Sequence, residues 1–406
     1  MTRRVARRAG IDPFFVMEVL RAARERADAG GDVLHLEVGQ PSTGAPASAL
    51  VAARSALDDP SQLGYTDATG LPALRRRIAD HLRVREGAEV DPEAVVVTVG
   101  ASVGFVLAFL AAFDPGDRVA VCEPGYPCYR QILTALGTDA VPVPIGPETR
   151  YQPTPELLDA ACRAGGRIDG LVLASPSNPT GSVLTVDELG ALAGWCDAND
   201  VRLVADEIYH GITFDRAAPT ALVHDVGSIV VNSFSKYFSM TGWRLGWLVV
   251  PGELIRPLEL LAQNLVIAAP TLSQIAAIGA FDDTVELDAH VRRYSVNRDL
   301  VLRGLASMGC DDVAPAEGAF YAYAGTAHLA EDSAALCRRW LDEIGVAVTP
   351  GVDFDPVRGH QHVRLSFAGV TDEIGAAMER LVDWSSRPDA STVRRSTPAS
   401  PTQAPT

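Results

Sequence analysis

Of the 35 lysines and arginines in this 406-residue chain, Lys236 alone is a lysine. A guanidinium stays protonated, whereas a lysine amine can lose its proton, attack a carbonyl and carry a proton. A chain that otherwise takes arginine for its cations has kept one nucleophilic amine. Chance within an arginine-biased composition is the plain alternative, and the surrounding sequence decides between the two. It reads IVVNSFSKYFSMTGWRLGW from Ile229: an apolar run, then Ser233, Ser235 and Lys236, then Arg244. That pattern predicts a buried strand opening into a polar loop, the place where open α/β sheets bind ligands.

Three other strand ends carry polar groups of matching use. Asp206 directly follows the apolar run Val201 to Ala205, and a carboxylate buried there needs a cationic or hydrogen-bonding partner. A protonated pyridine nitrogen is such a partner, and an Asp so placed makes pyridoxal phosphate an electron sink. A helix cap or a salt bridge to arginine is the structural alternative. Ser177-Asn178-Pro179-Thr180-Gly181 is a turn sequence, whose Asn side chain, at a sheet edge, can donate to a phenolate oxygen. The turn Val99-Gly100-Ala101-Ser102-Val103-Gly104 does not meet GxGxxG, and Lys236 lacks the glycines of a GxxxxGK[ST] loop. What that turn offers is helix N-terminal N–H groups, enough for one phosphate.

These ends must be positioned by a sheet. Apolar runs recur at AVVVTVGAS from Ala94, RVAVCEPGY from Arg118, GLVLASPSNPTG from Gly170, VRLVADEIY from Val201 and the lysine strand. Helical patterns such as Val103 to Phe113 and Thr185 to Asn199 separate them, the latter opened by a capping box of Thr185 and Glu188. Continuous apolar strands interleaved with helices predict a three-layered α/β fold around a mostly parallel sheet. A long amphipathic helix over Val291 to Leu305 introduces a smaller α+β unit, which ends with VRLSFAG and a helix over Thr371 to Asp383. The expected division is 1–45 as an N-terminal arm that also serves the small domain, 46–288 as the large domain and 289–385 as the small one. Residues 386–406 are Ser/Thr/Pro/Ala-rich and are expected to be a disordered tail.

The formal charge of −16 and 47% hydrophobic content predict a soluble globular protein that binds small metabolites and no nucleic acid. No run is long and apolar enough for a membrane span. The basic MTRRVARRAG is followed by Gly10, Asp12 and Pro13 where a signal peptide needs an apolar stretch, so it reads as a solvated arm and the chain as cytoplasmic. Six cysteines without a CxxC pair read as free thiols, and the isolated His360 and His362 as no metal site.

Taken together, SFSKYFSMTGWRLGW, SNPTG, DEIY, GQPSTGAP from Gly39, YTDATGLPALRRRIADHL from Tyr65, PAEGAFY before Tyr321 and VRLSFA around Arg364 closely resemble the motifs of class I/II aminotransferases. These are fold type I pyridoxal-phosphate-dependent enzymes, and the resemblance covers nearly the whole chain up to residue 385. It implies a seven-stranded sheet in the large domain and a homodimer with shared active sites. It also implies amino-group transfer between an L-amino acid and a 2-oxo acid by a ping-pong mechanism. Lys236 would form the Schiff base and shuttle the proton, and Asp206 would hold the pyridine nitrogen. Tyr209 and Asn178 would bond the phenolic oxygen, and Tyr126 would stack on the ring. Ala101, Ser102, Ser233, Ser235 and Arg244 would hold the phosphate, joined by Tyr65 from a second subunit. Arg364 would pair with the substrate carboxylate, helped by Val38, Gly39 and Asn178.

Two departures bear on that pattern. Tyr126 stands where some members have Trp, which changes little. Ser102 stands where some dicarboxylate-using relatives carry a lysine, which disfavours aspartate and glutamate as preferred donors. A C–S β- or γ-lyase on the same fold is the alternative chemistry. A cofactor-binding regulator is a further one, opposed by Lys236, Asp206 and Arg364 and by the short segment before Gly39. The donor side chain is expected to meet Val38, Phe15 and Ile267.

Overall fold

The computed structural model describes residues 4–224, 227–388 and 390. Its strands are β1 (Leu34–His35), β2 (Val95–Thr98), β3 (Arg118–Glu123), β4 (Asp139–Pro144), β5 (Gly170–Ala174), β6 (Arg202–Asp206), β7 (Ile229–Ser233), β8 (Gly246–Val249), β9 (Tyr321–Gly325), β10 (Val346–Ala347), β11 (Thr349–Pro350) and β12 (His362–Ser366). Seven of them form one sheet in the order β2-β8-β7-β6-β5-β3-β4. β8 runs antiparallel to both its neighbours, and the pairings from β7 across to β4 are parallel.

Alternation of side chains across the pleat splits the core in two. Val95, Val97, Ala120, Leu171, Leu203 and Val230 face one core with Leu189, Leu192 and Cys196 of the helix Val186–Asn199. Val96, Val119, Val121, Val172, Val204 and Val231 face the other, under the helices Gly100–Ala112 and Gly252–Leu265. Both faces are covered, which is why these strands read as unbroken apolar runs. The edge strand β4 differs: it alternates exposed and buried residues and carries Pro142 and Pro144, which suits an unpaired edge. The capping box is formed, with Thr185 Oγ1 accepting from the Glu188 N–H at 3.1 Å and Glu188 Oε2 from the Thr185 N–H at 2.7 Å.

The smaller unit is an antiparallel sheet, β11-β12-β9, with β1 joined in parallel to β10. The N-terminal segment thus supplies a strand beside it. Its long helix spans Thr284–Ser307, beginning earlier than Val291 and crossing the 288/289 boundary, because Leu287 is buried in the same core. Likewise the helix at the glycine-containing turn after β2 starts at Gly100, before Val103, and the last helix runs Thr371–Ser385. Ala390 is buried, and its carbonyl accepts from Arg339 at 3.1 Å. The expected tail beyond it, with residue 389, lies outside the described residues, as do residues 1–3 of the arm.

Arginines clamp the two units together. Arg358 donates to the Glu123 and Ile145 carbonyls at 2.6 and 2.9 Å while its Nε donates to Asp355 at 2.8 Å. Arg150 pairs with Glu317 at 2.7 Å. Asp353 accepts from the Phe15 and Val16 N–H groups at 3.2 and 3.1 Å. This caps the helix Phe15–Asp28, which has no side-chain cap of its own, and it sets Phe14 at the mouth of a cleft. Among the described residues no helix is long and apolar enough to cross a membrane.

Candidate active site

A cleft of about 780 Å³ opens beyond the carboxyl ends of β5, β6 and β7 and reaches the small domain. Its lining brings together Val38, Gly39, Ala101, Ser102, Tyr126, Asn178, Asp206, Tyr209, Ser233, Ser235, Lys236, Arg244 and Arg364. Three of the sequence-derived candidates stand apart from it: Tyr65, 86% exposed on the surface, Phe15 and Ile267. Phe14 rather than Phe15 lines the cleft, and Ile267 is an exposed residue that does not line it.

Lys236 follows β7 in a tight polar turn and donates from Nζ to the Gly39 carbonyl at 2.7 Å. Burial, and then the nearby Arg364 and Arg244, lower its amine pKa to about 8, with Asp206 opposing. The amine therefore reaches its nucleophilic form closer to neutrality than an exposed lysine does. Asp206 ends β6 and is buried. Its Oδ2 accepts from the Tyr129 hydroxyl and its Oδ1 from the Ile208 N–H at 3.1 Å. Burial raises its carboxyl to about 6, against those two donors and the Lys236 charge.

The opposite wall is built on Arg364 of β12. It is 2% exposed, with Nη1 donating to Asn178 Oδ1 at 3.0 Å and Nη2 to the Glu37 carbonyl at 2.5 Å. The guanidinium lies over the Tyr321 and Phe354 rings, 4.3 and 4.7 Å from their centroids, and Nε is buried without a partner. Tyr209 shares a 2.7 Å hydrogen bond with Tyr321. Gly39 makes room for that pair, since a Cβ there would fall 1.6 Å from the Tyr321 hydroxyl.

At the other end, the N-terminus of Gly100–Ala112 meets Ser233, Ser235 and Arg244. Ser233 Oγ donates to Ser235 Oγ at 2.9 Å. Gly100 takes φ +70°, and a Cβ on it would lie 2.6 Å from Arg244 Nη2. On Gly246 a Cβ would lie 2.8 Å from the Ala101 nitrogen. The glycines thus keep a cradle of N–H, hydroxyl and guanidinium donors open, a donor set suited to a phosphate dianion. Tyr126 packs edge-on to Tyr129, at 5.3 Å between centroids, and to Phe14 at 6.0 Å.

The sequence did not single out Tyr129, Glu37 or Phe14. Tyr129 carried one readable signal, its position one helical turn after Tyr126 on an apolar face; the others depend on tertiary contacts.

A phosphate cradle, a buried carboxylate and a lone amine on a doubly covered parallel sheet define a pyridoxal-phosphate enzyme of fold type I. Residues 31–382 match the sequence model of the family Aminotransferase class I and II, to which the chain belongs. It is 50% identical over 388 residues, 95% of this chain and 99% of the relative, to a valine–pyruvate aminotransferase of Mycobacterium tuberculosis. A crystal structure of an aminotransferase from that organism superposes with a TM-score of 0.91 at 50% identity, over 94% of this chain and 99% of that one. The aspartate aminotransferase of Thermus thermophilus, solved with maleate, gives 0.87 at 33% identity, over 94% and 100%. The chain is accordingly a pyridoxal-phosphate-dependent aminotransferase, and the cleft fits the cofactor's chemistry: it offers a cradle of donors suited to a phosphate and a buried carboxylate, Asp206, suited to a protonated ring nitrogen.

Proposed function

We propose that the cleft moves an amino group from a neutral aliphatic L-amino acid to a small 2-oxo acid, with valine and pyruvate as the leading pair. The single observation that carries the residue assignment is the placement of Lys236 Nζ in the cleft that Asp206 and Arg364 also line, 2.7 Å from the Gly39 carbonyl. Bound pyridoxal phosphate supplies the electron sink. Lys236 is the amine that anchors the cofactor and, once displaced by substrate, moves the proton at the substrate Cα. Asp206 keeps the ring nitrogen protonated, Tyr209 and Asn178 bond the phenolic oxygen, and Tyr126 covers the ring. Ala101, Ser102, Ser233, Ser235 and Arg244 hold the phosphate, and Arg364 takes the α-carboxylate beside Val38 and Gly39.

The donor class rests on charge. Lys236, Arg244 and Arg364 are the cations among the described residues lining the cleft, and each is already assigned. No further cation there meets a side-chain carboxylate, while Phe14, Val16, Val38 and Ile132 supply apolar surface. The valine–pyruvate relative supports the same choice. Following the cofactor's absorbance while valine and then pyruvate are added tests it: conversion and recovery are expected, whereas faster cycling with aspartate and 2-oxoglutarate would overturn the donor class.

Tyr65 completes the phosphate site of a second copy in a homodimer. Its exposure, with Leu265 and Ile267 also exposed, supports this reading. Six cysteines without a disulfide among the described residues support a reducing, cytoplasmic compartment, and the separate seven-stranded and three-stranded sheets support a division at about residue 45 and near 288 into two domains flanking the cleft.

Tyr129→Phe removes a donor from a buried carboxylate, an interaction of about 1.5–3 kcal/mol. Asp206 then needs a higher pH to ionise. The acid limb of the kcat/KM profile is expected to move upward, with about a tenfold or greater loss near pH 6; an unmoved limb would separate Tyr129 from the ring-nitrogen site.

A further inference from the structure

One buried titratable group lies beside the site and has no part in the roles given so far. His210 closes the turn that follows β6, and it is 7% exposed. Its Nε2 lies 3.1 Å from the Ser175 carbonyl, which can only accept, so Nε2 carries a hydrogen. Its Nδ1 lies 3.2 Å from Glu86 Oε2 and 3.5 Å from Glu207 Oε2. A neutral ring would turn a lone pair toward two carboxylates. Neither contact is aligned as a hydrogen bond, so the ring meets the two carboxylates through charge, and an imidazolium, with a hydrogen on both nitrogens, is the form that matches them.

The other charged groups nearby leave that role to His210. His81, on the helix Pro72–Glu86, is kept neutral by burial, its pKa pushed down to about 4. Arg85 is taken up by Asp288 at 2.9 Å and the Tyr237 hydroxyl at 2.6 Å. Glu207 Oε1 accepts from Thr220 Oγ1 at 3.0 Å and the Ala221 N–H at 2.8 Å, which leaves Oε2 to the histidine.

What His210 joins matters more than its charge alone. The Ser175 N–H donates to the Asp206 carbonyl at 3.3 Å, and the His210 N–H to the Glu207 carbonyl at 2.9 Å. Ser175 begins the turn that carries Asn178, and Asp206 and Tyr209 lie on the turn that His210 closes. The ring therefore ties two adjacent strand ends to each other and, through Glu86, to the C-terminal end of the helix Pro72–Glu86.

We propose that His210 is a positioning residue of the transamination site, a buried imidazolium that fixes the β5 and β6 ends and so the placement of Asn178, Asp206 and Tyr209. The inference rests on the cofactor-binding roles proposed above for those residues. Its positive charge also favours the ionised form of Asp206.

The test uses the holoenzyme and the variants His210→Gln and Glu86→Gln. Glutamine keeps a donor for the Ser175 carbonyl and removes the charge. H210Q is expected to bind pyridoxal phosphate about tenfold more weakly and to lose about tenfold in kcat, with the KM for the amino acid changed less than twofold. E86Q, the milder variant should H210Q fold poorly, is expected to show the same losses reduced to about threefold. Melting temperature against pH gives a readout independent of turnover. The folded-state pKa of His210, raised to about 9, exceeds the unfolded value of about 6.5. Its stabilisation is thus complete below the unfolded value and lost as pH rises through about 9, a loss that H210Q lacks.

If both variants melt earlier but keep wild-type cofactor affinity, kcat and pH titration of the cofactor band, His210 is purely structural and the proposal is overturned. Asp206→Asn, measured in parallel, distinguishes failure of the underlying assignment. Wild-type affinity and turnover in D206N would remove the site that His210 is said to position and would overturn both.

Discussion

Lys236→Ala is expected to lower kcat by at least about 10⁴-fold, because it removes both the anchoring amine and the group that moves the Cα proton. The chain holds no second lysine to substitute for it. Lys236→Arg is expected to fail equally, since a guanidinium does not give up its proton under these conditions. The fold should survive the loss. The amine makes one hydrogen bond, to the Gly39 carbonyl, and its removal also relieves the burial cost that lowers its pKa to about 8. The measurement is kcat for valine with pyruvate, alongside a melting curve. Transamination retained within tenfold of wild type would sink the assignment of Lys236, whereas unfolding would show that the amine is structural.

Arg364→Lys is expected to lower kcat/KM for the amino acid by about 10²–10³-fold while leaving cofactor binding within about threefold. The loss follows from geometry rather than charge. A planar fork, set over Tyr321 and Phe354 and anchored on Asn178 and the Glu37 carbonyl, offers two parallel donors to a carboxylate, and an ammonium cannot. The split between substrate and cofactor is the diagnostic. Cofactor affinity falling in step with kcat/KM would place Arg364 in the architecture of the cleft, and an unchanged kcat/KM would remove it from the substrate site.

The four strand ends were legible because each obeys a local rule: a buried apolar run ends in a polar group where the sheet stops. Lys236, Asp206, Asn178 and the turn at Gly100 all obey it, and Arg364 was legible through its surrounding motif. Partners supplied by distant segments obey no local rule. The acceptors for Lys236 and Arg364 are main-chain carbonyls of Gly39 and Glu37, and a carbonyl has no residue type to recognise. Tyr129 and His210 went unread for a different reason, since a tyrosine on an apolar helix face, even one turn after Tyr126, and a histidine after a strand are ordinary core residues until their partners are placed. Phe15 was read in place of Phe14 because adjacent aromatics look alike in sequence, and which of them lines the cleft depends on how the helix packs.

The segment that enters the small domain as β1 gives up its Glu37 carbonyl to Arg364 and Thr349, and its Gly39 carbonyl to Lys236. Under the roles proposed for them, the amine and the guanidinium are thus gauged from the same short length of backbone. Shift that backbone, and both lose their reference together. On that reading the span between amine and guanidinium is set by one peptide ruler, so a docking error of the small domain is expected to appear at the amine as well as at the guanidinium.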